Sequence, residues 1–171
     1  MAKTILIPTD FSVKSLITAK IALEANQDEQ GRVKLILIHG IFNSTSITEL
    51  LFYSKHKVLS QLETPEFQAS CRILRSKFES ILESMDIDLF NGTSQAAFEN
   101  YLDGNQIDEA YLPVNRTNQF KNRNSFDLSR FFLKSKLRVQ KIDWNKLFPS
   151  ESSERKDELS SLFFIRAQSA H

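Results

Sequence analysis

Asp10 and Ser12 are the first residues whose types and spacing could do chemistry. They follow the apolar run Ile5-Leu6-Ile7 and the break Pro8-Thr9, and a helix-like pattern begins directly after them. A buried strand of that form delivers a carboxylate and a hydroxyl to a strand-to-helix turn. The plainer reading of Asp10 is that it caps the turn, accepting nearby backbone N–H groups. Ser125 follows a polar loop, Asn115 to Asn124, and reads first as the N-cap of a helix carrying Leu128, Phe131 and Phe132. His39 lies near the end of a buried strand, where a structural imidazole fits better than a catalytic one. No spacing among the three histidines and one cysteine suggests a metal site. Cys71 falls on the apolar face of a helix and reads as a small hydrophobe.

A second candidate is electrostatic. Residues 116–141 hold Arg116, Lys121, Arg123, Arg130, Lys134, Lys136, Arg138 and Lys141 against Asp127 alone, with Phe120, Phe126, Phe131 and Phe132 interleaved. Such a stretch could bind single-stranded nucleic acid or an anionic ligand, or form a solvated face over buried phenylalanines. A formal net charge of +1 over 171 residues favours the last, so no nucleic-acid partner is expected. Other α/β chemistries fail on residues. The chain lacks Gly-x-x-x-x-Gly-Lys-Ser/Thr and Gly-x-Ser-x-Gly, and Asn91 stands where a phosphoacceptor aspartate would follow the third strand. Nor does it carry the Ser-Gly-Gly or His-x-x-His loops of pyrophosphate-cleaving nucleotide enzymes. No catalytic set assembles, and a non-enzymatic protein is expected.

The elements that must position these residues alternate. The pattern predicts a helix over about 12–26, a continuous apolar strand over 33–41, and a helix carrying Ile47, Leu50, Leu51 and Val58. Thr64-Pro65 opens the cleanest amphipathic helix, in which Phe67, Cys71, Leu74, Phe78, Ile81, Leu82 and Met85 recur at three- and four-residue steps. A short strand at 87–90, a helix capped by Thr93 or Ser94 and ended by Gly104, a strand at 110–114, the Ser125 helix and an edge strand at 137–142 complete the order. That alternation predicts an α/β sheet of about five parallel strands with helices on both faces. The domain spans 1–148. Residues 149–171 form a C-terminal extension, a Ser/Glu-rich linker followed by Leu159, Leu162, Phe163, Phe164 and Ile165, expected to dock on the domain or on a partner subunit.

With 41% hydrophobic and 25% charged residues, the composition is that of a soluble globular protein. No apolar run approaches the roughly 18 residues of a membrane span. Met1-Ala2-Lys3 runs directly into a strand without a leader, and a cytoplasmic protein is expected.

The stretch Ile7-Pro-Thr-Asp-Phe-Ser12 after the first strand resembles the universal stress protein family. Leu35-Ile-Leu-Ile-His39, the Asn91-Gly92 strand ending and the strand between Asp108 and Val114 are also similar, and the resemblance covers most of 3–143. It implies a doubly wound, adenine nucleotide alpha hydrolase-like sheet of order 3-2-1-4-5, with a ligand crevice beyond the ends of strands one and four. It implies a homodimer near the fifth strand, and ATP with Mg²⁺ held by Asp10, Ser12 and Ser125. In nucleotide-binding relatives the loop after the fourth strand carries Gly-x-x-Gly and, about nine residues on, Gly-Ser or Gly-Thr, whose N–H groups close on phosphate. Here Pro113 and Arg116 stand at the first two glycine positions and Asn124 at the third. Proline has no N–H to offer. The expectation is therefore an interaction protein without a cofactor, acting through a homodimer or an unidentified protein partner. The alternative is a nucleotide sensor in which Arg116 or Arg123 replaces the lost donors.

Overall fold

The computed structural model describes residues 2–43 and 46–148, so the C-terminal extension lies outside the described residues. The elements are β1 (Lys3–Pro8), α1 (Ser15–Ala25), β2 (Val33–Ile41), α2 (Ile47–Leu51), α3 (Lys55–Leu62), α4 (Pro65–Lys77) and β3 (Leu82–Phe90). They continue with α5 (Gln95–Gly104), β4 (Glu109–Val114), β5 (Ser125–Phe126), α6 (Ser129–Lys134), β6 (Arg138–Asp143) and α7 (Trp144–Leu147). The long strands pair in parallel in the order β3-β2-β1-β4-β6. That is the expected 3-2-1-4-5 arrangement with one short strand, β5, inserted before the last.

Alternation along the strands builds two cores. Ile5, Ile7, Leu35 and Leu37 pack beneath α1 and α4, joined by Phe67, Cys71 and Leu74. Leu6, Ile38, Ala110 and Leu112 face the other way onto α5 and α6, where Phe98, Phe131 and Phe132 cluster. Burial of this kind contributes roughly 25 cal/mol per Å² of apolar surface. Among the described residues no helix is long and apolar enough to cross a membrane.

Several boundaries differ from the sequence reading. The Thr64 side chain caps α4 and Pro65 opens it as expected, but the helix stops at Lys77. Leu82 to Asp86 belongs to β3, which starts five residues before the predicted strand. The reason is a bulge: Val33 pairs with Leu82 and Lys34 with Ser84, which leaves Glu83 unopposed. An extra residue restores the inward direction after three positions rather than two, so Leu82 and Met85 both reach the core at a spacing that mimics a helix. The predicted helix over 47–58 splits at Ser54, whose hydroxyl caps α3.

Ser125 is not a helix N-cap, and Ser12 stands ahead of the first helix rather than within it. α1 begins at Ser15, after an irregular turn in which the Ser12 hydroxyl accepts the Ser15 N–H at 3.2 Å. Ser125 lies in β5, which runs antiparallel to the end of β2 through Gly40↔Phe126 and Ile41↔Ser125. The start of α6 is bonded instead by the Asp127 carboxylate, which accepts the Ser129 N–H at 2.8 Å.

Candidate functional site

Two strand ends and the loop after β4 meet at the point where the strand order reverses. β1 ends in a turn forced by local geometry: Phe11 has φ 62°. A non-glycine residue in the left-handed region is strained, and this one is held by packing, with its ring 4.8 Å from His39 and 5.3 Å from Phe67. The turn aims the Asp10 carboxylate inward. Asn115, at φ 59°, makes the corresponding turn after β4, and asparagine tolerates that conformation better than most residues. Its side chain donates to Asp143 at 3.0 Å, tying the end of β4 to that of β6.

The turn at Asn115 sends Arg116 across the crevice. Its guanidinium donates to Asp10 Oδ2 at 3.0 Å and to the Ser12 hydroxyl at 2.7 Å, and it lies 5.0 Å from the centre of the Trp144 ring. The Arg116 side chain is 6% exposed and that of Asp10 fully buried. Asp10 also accepts the Gln119 N–H at 2.9 Å and the Ser12 N–H at 3.0 Å. Burial by itself would push the Asp10 carboxyl up. The Arg116 charge and the hydrogen bonds from Gln119 and Ser12 outweigh burial and hold it below the usual carboxylate range. Asp10 is thus an anion whose counter-charge comes from its own chain.

Next to this pair lies a second one. His39 Nδ1 is 2.8 Å from the Thr9 carbonyl oxygen and Nε2 is 2.7 Å from Ser125 Oγ. A carbonyl only accepts, so Nδ1 carries the proton and Nε2 accepts the Ser125 hydroxyl. Burial depresses the His39 pKa, against the opposing influence of the Thr9 carbonyl and the Asp10 charge, and the ring is neutral at neutral pH. The Phe120 ring closes the third side at 5.6 Å.

A cavity of about 630 Å³ opens over both pairs, lined by Asp10, Ser12, His39, Gln119, Lys121, Arg123 and Ser125 among others. Asp10, Ser12, Arg116 and Ser125, named from the sequence, converge here. Arg116, however, fills the crevice rather than lining the cavity, and it neutralises a carboxylate instead of offering a donor to phosphate. Lys121 and Arg123 reach the cavity. The remaining basic residues disperse: Arg130 lies over Phe131, Arg138 reaches Glu109 at 3.7 Å, and Lys134, Lys136 and Lys141 are exposed on α6, its following turn and β6. Sequence reasoning missed Gln119, which acts through its backbone, and Trp144, whose contact with Arg116 spans 28 positions. It assigned His39 a structural place without its partner Ser125.

No family model and no curated protein sequence matches the chain. Solved structures do. Universal stress protein UspA from Lactobacillus plantarum superposes with a TM-score of 0.53 at 16% identity, over 82% of this chain and 97% of that one. The chain has the universal stress protein fold. The hypothetical protein MJ0577 is similar to it as well, with a TM-score of 0.50 at 16% identity over 84% of this chain and 96% of the other. At such identities the universal stress protein fold is what is shared, and the chemistry of the crevice has to be argued from the side chains of this chain.

Proposed function

We propose that the protein is a universal-stress-protein-like regulatory or interaction protein, cytoplasmic and non-enzymatic, that acts by association and binds ATP weakly or not at all. One observation carries this reading: the buried Arg116–Asp10 ion pair, with Ser12 as a third member, occupies the crevice at the strand switch. A ligand hydroxyl seeking Asp10 would have to displace a charge-assisted bond already made inside the protein. With Pro113 in place of a glycine and a Cβ at both 116 and 124, the loop offers no glycine backbone to phosphate. Association through a homodimer is the simplest form of the proposal. The β6 edge of the sheet, Arg138–Asp143, pairs on one side only with β4 among the described residues, and such an edge is a natural place for a second chain.

The second reading is a nucleotide sensor, favoured by the cavity of about 630 Å³ with Lys121 and Arg123 on its rim. A thermal-shift titration with ATP, ADP and AMP plus Mg²⁺ separates the two. A ligand at a hundred times its dissociation constant stabilises a protein by about 2.7 kcal/mol. The expected result is an unchanged midpoint at millimolar nucleotide. A saturable shift that disappears in Asp10→Ala would replace the association reading with the sensor.

A further inference from the structure

We propose that the apolar end of the C-terminal extension, residues 159–165, docks in cis on the face made by α2 and the start of α3. The receiving surface is unusual for a folded domain. α2 buries none of its residues, and Ile47, Leu51 and Phe52 are each 75–76% exposed. Contiguous apolar surface of this kind marks an interaction site. It is not flat: a hollow of about 440 Å³, lined by Phe42, Leu50, Phe52, Tyr53 and Val58, separates α2 from α3.

The occupant is argued from where the described chain ends, from its length and from its charge. Phe148 packs against the same core as Leu59 and Leu62 of α3, the helix whose Val58 and Gln61 line the hollow, so the described chain ends on the side of the sheet that carries α3. The ends of β6 and β2 lie three strand spacings apart, about 14 Å. Residues 149–158 number ten and span up to about 33 Å when extended. The linker therefore reaches with slack. It carries Glu151, Glu154, Asp157 and Glu158 against Arg155 and Lys156. This acidic excess complements Lys121 and Arg123, exposed at the cavity rim, and Lys57 beside the hollow. Beyond the linker, Leu159, Leu162, Phe163, Phe164 and Ile165 supply apolar surface to match the exposed Ile47, Leu51 and Phe52. The tail is thus a cover that any other partner of α2 must displace. This inference goes beyond the association role and stands whether or not a nucleotide binds.

The test is site-directed cross-linking in the full chain. The single native thiol, Cys71, is buried and its pKa is pushed up to about 12, so it stays out of the reaction. Leu51→Cys with Phe163→Cys, treated with a short bismaleimide, is expected to give an intramolecular bridge. Its yield should exceed by about ten-fold that of a control pair, Leu133→Cys with Phe163→Cys, whose first site lies on α6 under the opposite face of the sheet. In the same protein without cysteines added, amide exchange over 47–53 should quicken by about ten-fold in Leu162→Asp/Phe163→Asp. Equal yields for the two pairs, or exchange unaltered by the tail substitutions, would overturn the proposal. So would bridges that join heavy-isotope-labelled to unlabelled chains in a mixture, since the seat would then be filled by a second copy.

Discussion

His39 is the titrating group whose consequences are clearest at the scale of one residue. Its ring is buried, donates to one carbonyl and accepts one hydroxyl, and burial lowers its pKa. The sign follows from linkage. The unfolded chain binds a proton on this histidine near its ordinary value of about 6.5, while the folded chain resists it, so the unfolded state takes up more protons as pH falls. The contribution of His39 to stability is therefore complete above about pH 7 and shrinks as the solution is acidified toward the folded pKa. Urea midpoints measured from pH 7.5 down to pH 5 should fall for the wild type and fall less for His39→Gln. Parallel curves for the two proteins would mean that another group carries the acid sensitivity. Asp10 acts in the same sense at lower pH. Its depressed carboxyl supplies stability that is present above the ordinary carboxylate range and lost on further acidification.

At the scale of elements, the short strand β5 decides where Ser125 goes. It lies against the end of β2 because Gly40 has no side chain. A Cβ there would stand 2.8 Å from the Phe126 carbonyl oxygen and 2.9 Å from its ring. Gly40→Ala should lift β5 from β2, at a cost of about 1–3 kcal/mol for the overpacking. It should also speed exchange of the Phe42 amide, which bonds to Asn124 oxygen at 2.8 Å. Wild-type stability and protection in the Gly40→Ala variant would show that β5 is not held by this contact. The same element marks the limit of what the sequence says. Strands whose neighbours bury both faces declare themselves by composition, as 33–41 does, and caps declare themselves by residue type, as Thr64 and Ser94 do. β5 is two residues long and owes its pairing to a glycine 86 positions from Phe126, so nothing in the stretch around Ser125 distinguishes it from a helix start. The bulge at Glu83 misleads for a related reason: its helical spacing arises from a partner strand that local periodicity does not contain. The direction of Arg116 is legible only in part. Its loss of glycine could be read, but the backbone turn at Asn115 that aims it at Asp10 could not.

At the scale of the whole molecule, the crevice is where two halves of a doubly wound sheet meet, and in this chain they are tied across it. Asp10 belongs to the end of β1 and Arg116 to the loop after β4, 106 positions apart, with Trp144 of α7 backing the guanidinium. Removing one member of a buried pair costs more than the pair contributes, because the other charge is stranded. The two ends are not equivalent. The Asp10 side chain is short and fully buried, whereas a freed arginine can extend its head toward water. Arg116→Ala should therefore destabilise by about 3 kcal/mol, Asp10→Ala by less, and the double variant by clearly less than the sum. Urea denaturation of the four proteins yields the coupling energy directly. Additive losses would mean that the halves are held by the surrounding core alone. A coupling of about 1 kcal/mol or more would establish that the chain uses, for its own cohesion, the carboxylate that the fold places at the strand-switch crevice.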